Sequence, residues 1–216
     1  MIRKEIKKYY FSVEGETEKW YLKWLEDKIN EIEKSSYKVK FDTKVQKNPK
    51  KRAKQLSVIG KLNIFHMMDF EELNNEKSFQ DTLTKMKEAE KIKSIKYILG
   101  YSNYIFDLWI ILHKKLLNSS QNYRDNYLHH INQCYQEKFE SMADYKREAN
   151  FKRVLTKLDF NDVVKAIGYA EKIMNDKTVQ GYTEIRYKAY KYYRNNPSLS
   201  IHIVIKSILL EVGIIS

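Results

Sequence analysis

The sequence predicts an α/β fold: a mainly parallel four-stranded sheet flanked by helices, followed by an α-helical C-terminal half. Three observations carry that expectation. Over roughly the first half, short apolar runs of strand length alternate with stretches of helical periodicity, the pattern of strand-helix-strand crossovers. Three of the four strand-like runs close on polar residues that stand out from their surroundings. The chain of 216 residues holds only 6 Gly and 2 Pro, so little of it is left for irregular linkers.

Each element follows from its local pattern. The run Tyr9 to Val13 stops at Glu14 and Gly15, as a buried strand stops at a turn. From Thr17 a helix is expected, because Tyr21, Leu25, Ile29 and Ile32 recur at helical spacing and Trp20 and Trp24 widen the stripe. Residues 37–45 alternate apolar and polar side chains, as a half-exposed or edge strand does. A third strand, residues 63–68, closes at Asp69. Phe79, Leu83, Met86 and Ile92 mark another helix, and residues 95–99 a fourth strand that ends before Ser102. The stretch YIFDLWIIL is apolar on every side except Asp107, which reads as a buried helix. Beyond about residue 116 only helical periodicity is visible. The expected organisation is an α/β core over residues 1–115 with a helical region, 116–216, packed on it.

With 43% hydrophobic and 13% aromatic residues the chain can bury a sizeable core. Forty Lys and Arg against 28 Asp and Glu leave a formal charge of +12, which favours a polyanionic partner through phosphate neutralisation. A single cysteine, Cys134, excludes an internal disulfide framework and a cysteine-based zinc ribbon, so a reducing compartment is expected. No segment of signal-peptide character opens the sequence. The apolar tail LSIHIVIKSILLEVGII is interrupted by His202, Lys206 and Glu211 and lacks the roughly 20 apolar residues of a membrane span. A cytoplasmic protein with no membrane partner is the expectation, and self-association is compatible with the sequence.

The chemistry is expected where the strands end, because the carboxyl ends of a parallel sheet form its ligand crevice. Glu14 closes the first strand, and Glu18, four residues on, lies in the first turn of the next helix, so both can face one point. Asp69 and Glu71, with Glu72 beside them, form a second acidic group in the segment DFEE. Carboxylates gathered together repel, and a divalent cation relieves that repulsion. Magnesium, or manganese in its place, suits an all-oxygen set of this kind. The alternative is that the acids merely favour the positive ends of helices. Asp107, in an otherwise apolar helix, needs a partner: a site role and a salt bridge to Lys114 or Lys115 are both open.

Other candidates stand around this group. The run KVQKNPKKRAK contains Lys50, Lys51, Arg52 and Lys54, which can follow a phosphate backbone or simply be solvated. Ser102 and Asn103, at the end of the fourth strand, are candidate nucleic-acid contacts with them. In IRYKAYKYYRNN the tyrosines can stack on unpaired bases, but a helix burying one tyrosine face is the favoured reading. His113 could shuttle a proton or touch a phosphate, or be a histidine satisfied by hydrogen bonds. His130 and Cys134, four apart, are two ligands and make no zinc site.

The segments VEGETEKWYL and SNYIFDLWIILH, with the acidic strand end between them and YQEKFESMADYKREANF and VVKAIGYAEKI further on, resemble the RloB and AbiLii family of bacterial abortive-infection proteins. That family is similar to the Toprim proteins, in which acids after the first and third strands bind magnesium. The resemblance implies a metal-dependent nuclease cutting DNA or RNA in anti-phage defence, together with a separate ATPase. No G-x-x-x-x-G-K-[ST] loop is present for this chain to bind ATP by that device. Position by position, the resemblance implies Glu14 as the principal glutamate, Glu18 as its partner and Asp69 as the first acid of the second motif. Glu71 stands where the family usually has aspartate, and Asp107 where it has glutamate. His113 falls where the motif often ends in histidine. The implied catalytic set is Glu14, Asp69, Glu71, Asp107 and His113, with Glu14, Glu18, Asp69 and Glu71 on the metal. A non-catalytic subunit that binds nucleic acid, or one that senses or assembles the system, is the alternative.

Overall fold

The computed structural model describes residues 4–57, 60–71, 75–92, 94–121 and 123–216. In chain order these form β1 (Ile6–Val13), α1 (Glu16–Glu31), β2 (Lys38–Val45), α2 (Pro49–Gln55), β3 (Leu62–Asp69), α3 (Glu76–Ala89), β4 (Ile95–Asn103) and α4 (Asp107–Leu112). There follow α5 (Arg124–Tyr135), α6 (Met142–Tyr145), α7 (Glu148–Thr156), α8 (Phe160–Val179), β5 (Glu184–Tyr187), β6 (Tyr190–Tyr193), β7 (Ser198–Leu199) and α9 (Ile201–Glu211). The main sheet has the order β2-β1-β3-β4-β7. Its first four strands run parallel, and β7 pairs with β4 antiparallel.

The two-residue period of the strands decides what each face carries. Tyr9, Phe11, Val13, Phe65 and Met67 turn to one side, where α1, α4 and the later helices cover them. Ile64, Met68, Ile95, Tyr97, Leu99 and Tyr101 turn to the other, beneath α2, α3 and the β5-β6 hairpin. Burial on both faces is the condition under which a parallel sheet is found. The apolar tail forms α9, which lies in the first of these cores with Ile201, Val204, Ile205, Ile208 and Leu209 buried. No helix of the described residues is long and apolar enough to cross a membrane.

The register positions the site. Val13 sits opposite Met67, and Asp69 opposite Ser102, so the residues that follow the ends of β1, β3 and β4 share one edge of the sheet.

Two features differ from the sequence reading. A fifth strand, β7, joins the sheet; at two residues it is too short to leave a periodic trace. The tyrosine-rich run, read above as a helix within a purely helical second half, is instead the β5-β6 hairpin. Its turn sets Lys188 at φ +57, and Tyr190 and Tyr192 point into the core while Lys191 between them is exposed, a period of two rather than 3.6. Glu72 lies outside the described residues.

Candidate functional site

The turn from β1 into α1 brings the first two acids together. Gly15 caps α1 in an extended conformation, φ −142 and ψ 178, so it is not there for backbone freedom. Its missing side chain matters instead: a Cβ there would lie 3.1 Å from Glu18 Oε2, tight against that carboxylate. Glu18 is buried in the first turn of α1 and accepts a hydrogen bond from Thr17 Oγ1 at 2.8 Å. Glu14, just before the glycine, accepts from the backbone N–H of Asp69 at 3.1 Å, which ties the end of β1 to the end of β3. Asp69 in turn accepts from Ser102 Oγ at 3.0 Å, the hydroxyl being carried by β4.

Further charges close the group, Glu71 and Asp107 from the α/β core and Lys146 and Arg124 from the region beyond it. Asp107, at the start of α4, is fully buried and neither carboxylate oxygen has a hydrogen bond of good geometry, its counter-charge being Lys146 Nζ, 2.9 Å from Oδ2. The predicted partners are engaged elsewhere, Lys114 with Asp162 at 2.6 Å and Lys115 with Gln133 at 3.2 Å. Lys146 follows the one-turn helix α6, over a hundred positions from β1, and no periodicity in the sequence announces it. Glu71 takes a left-handed backbone, φ +58, a conformation that costs about 1–3 kcal/mol for a non-glycine residue and collects at functional sites. It is fixed from several directions: its N–H donates to the Tyr104 carbonyl at 3.0 Å, and its carboxylate accepts from Asn75 at 3.0 Å and Arg124 at 2.6 Å.

The result is a cleft of about 270 Å³ lined by Glu14, Glu18, Asp69, Glu71, Lys47, Arg124 and Lys146, among others. A second cleft of about 290 Å³ shares Glu14, Asp69, Glu71 and Lys47 and runs along α3. Burial raises the proton affinity of Glu14, and Glu18 and Glu71 raise it further against the opposing effects of the Asp69 N–H and Lys47. Burial likewise holds Glu18 above the ordinary carboxylate range. Asp69 is pushed well above it, first by burial and then by the charges of Glu18 and Glu14, with Lys146 opposing.

That shift has a consequence for stability. An acid whose native pKa lies above its unfolded value binds its proton more tightly when folded, so stability falls as pH rises from about 4 through the raised value. Asp69→Asn keeps an acceptor for Ser102 and removes the charge. Its expected effect in chelator is a melting temperature equal to wild type near pH 4 and higher at pH 8, by about 0.5–2 kcal/mol of stability. A lower melting temperature at pH 8 would contradict the repulsion described.

The remaining predicted residues divide clearly. Asn103 is buried and donates to the carbonyls of Tyr193 and Arg194, clipping the hairpin's end to β4. Arg52 is 3% exposed and bonds the Asp42 carbonyl and carboxylate at 2.9 and 2.7 Å. Lys50 pairs with Glu88, while Lys51 and Lys54 are exposed along α2. His113 lines neither cleft. It is fully buried among Tyr21, Trp24 and Trp109, bonded to the Trp109 carbonyl at 2.8 Å and to the Tyr21 hydroxyl at 3.1 Å, and burial lowers its pKa to about 4. Lys47 belongs to the basic run KVQKNPKKRAK and Lys146 to the segment YQEKFESMADYKREANF, but nothing in either pattern marks them as cleft residues, and Arg124 carries no sequence signal.

Among the described residues no three Asp, Glu, His or Cys side chains are arranged to hold a metal ion between them. Glu14 and Asp69 are the pair that could hold one, as partly buried oxygen donors whose strand ends are tied by the bond from the Asp69 N–H to Glu14. Magnesium is commonly bound by one or two carboxylates with water and substrate phosphate completing the shell, so a two-carboxylate donor set is compatible with it.

Fold and site together define an α/β protein with a desolvated acidic cleft, rimmed by basic residues, at the carboxyl edge of a parallel sheet. The family model described as RloB-like protein matches residues 9–208, and the chain belongs to that family. No curated protein and no solved structure matches the chain.

Proposed function

We propose that this RloB-like protein is a nuclease of Toprim-like type that hydrolyses phosphodiester bonds of DNA or RNA with a divalent cation, magnesium or manganese, held by Glu14 and Asp69. The observation that supports this reading is the bond from the Asp69 N–H to Glu14, which joins two strand ends into one partly buried acidic pair with raised proton affinity. A bound cation would supply Lewis-acid polarisation of a phosphoryl oxygen. Glu18 adds negative charge behind the pair and favours cation binding there. Lys47, Lys146 and Arg124 on the cleft wall provide positive charge for the phosphate and for the charge that develops on its oxygens. Ser102 orients Asp69. The exposed Lys51 and Lys54 extend the basic surface along α2 for the flanking backbone. In the cell we place this activity in anti-phage defence, as the effector beside a separate ATPase.

A second reading draws on the internal pairing of Glu71 with Arg124 and of Asp107 with Lys146, which leaves fewer acids free. On that reading the chain binds nucleic acid, or senses or assembles the system, without cutting. Purified protein incubated with linear duplex DNA, single-stranded DNA and tRNA separates the two. Cleavage that requires magnesium or manganese and stops with chelator supports the nuclease; binding without cleavage of any of the three substrates overturns it.

A further inference from the structure

Glu71 also lines a third and larger cleft, about 480 Å³, between the β6-β7 connection and the segment that leads into α5. That volume falls within the range of about 300–1,000 Å³ usual for sites that enclose a small organic group. Two of its walls are tyrosines. Tyr123 is 71% exposed and Tyr182 39%, and among the described residues they are the exposed aromatic side chains, every other one being at least partly covered. Tyr123 makes no ring contact among those residues, whereas Tyr182 has Lys177 Nζ 4.2 Å from its ring centre. That both line one concavity, next to the acids, needs an explanation that scattered surface aromatics do not.

Polar groups complete the cleft. Asn196 is held in place, accepting from Ser120 Oγ at 2.7 Å and the Gln121 N–H at 2.9 Å. Asn195 beside it is exposed and its side chain has no partner among the described residues. Arg194 bonds Glu76 through Nε and presents a half-exposed guanidinium at the rim. Aromatic faces for stacking, amides for base edges and a cation for phosphate are the components of a site for unpaired nucleotides.

We propose that this cleft takes an unpaired nucleotide adjacent to the phosphodiester bond at Glu14 and Asp69, so that the substrate is single-stranded at that point. What is done to the strand rests on the nuclease reading; what is held rests on the third cleft alone. A duplex presents no free base face to Tyr123 or Tyr182, and a single strand of either DNA or RNA does.

The test is anisotropy binding in chelator, where no cleavage occurs, with labelled single-stranded DNA and RNA 12-mers and a blunt duplex of the same sequence. Tyr123→Ala and Tyr182→Ala should each weaken single-strand binding about 5- to 100-fold, with duplex binding changed less than twofold, and Tyr123→Phe should restore wild-type affinity because the ring face is what binds. The DNA and RNA arms decide which strand is preferred. Unchanged single-strand affinity in the double variant, equal losses for duplex, no single-strand binding by wild type, or a mononucleotide bound as tightly as the 12-mer would each overturn the proposal. The readout is independent of cleavage, so a protein that cuts nothing can still pass it.

Discussion

Glu14→Gln is expected to reduce magnesium-supported cleavage by about two to three orders of magnitude, the scale of removing one preorganised electrostatic group from a reaction centre. The substitution is nearly isosteric, and the glutamine carbonyl can still accept from the Asp69 N–H, so the tie between β1 and β3 survives. What disappears is the charge that would hold the cation and that Glu18 and Glu71 now oppose. Folding should therefore be unaffected or slightly improved, and the melting temperature in chelator should not fall. A variant that melts like wild type and cleaves at the wild-type rate would remove Glu14 from the chemistry.

Lys146→Met is expected to have the largest effect on stability. It strips the counter-charge from Asp107, a fully buried carboxylate whose Oδ1 has no hydrogen bond. Removing one partner of a buried ion pair costs about 3–5 kcal/mol, and since Lys146 is partly solvated the lower end applies. At about 2–4 °C for each kcal/mol in a chain of this size, the melting temperature should drop by roughly 6–12 °C. Combining it with Asp107→Asn removes the uncompensated charge and should recover most of that loss. If the double variant is as unstable as Lys146→Met alone, the pair is not what Lys146 contributes.

These two residues show how far the sequence could be read. Glu14, Glu18 and Asp69 were legible because a strand's end is marked by a change of polarity, and parallel crossovers oblige successive strand ends to share an edge. Lys146 was not, since contact across 39 positions from Asp107 depends on how α6 docks against α4, and docking leaves no period in the sequence. The same limit misdirected the partner of Asp107 toward Lys114 and Lys115, which are close in sequence but bond Asp162 and Gln133. His113 lay beside the right motif and faces the wrong way, into the aromatic core. The β5-β6 hairpin failed for another reason. Tyrosines at 187, 190, 192 and 193 satisfy helical and strand spacing alike, and Lys188, not a glycine or asparagine, takes the left-handed turn position that would have marked the hairpin.

In the proposed mechanism the tips of β1 and β3 present their carboxylates to one hard cation. Crystals grown with manganese and measured at an energy where manganese scatters anomalously test it directly. An anomalous peak within bonding distance of both Glu14 and Asp69, lost in Glu14→Gln crystals, is the predicted result. Ordered Glu14 and Asp69 side chains with no peak between them at saturating manganese would contradict it.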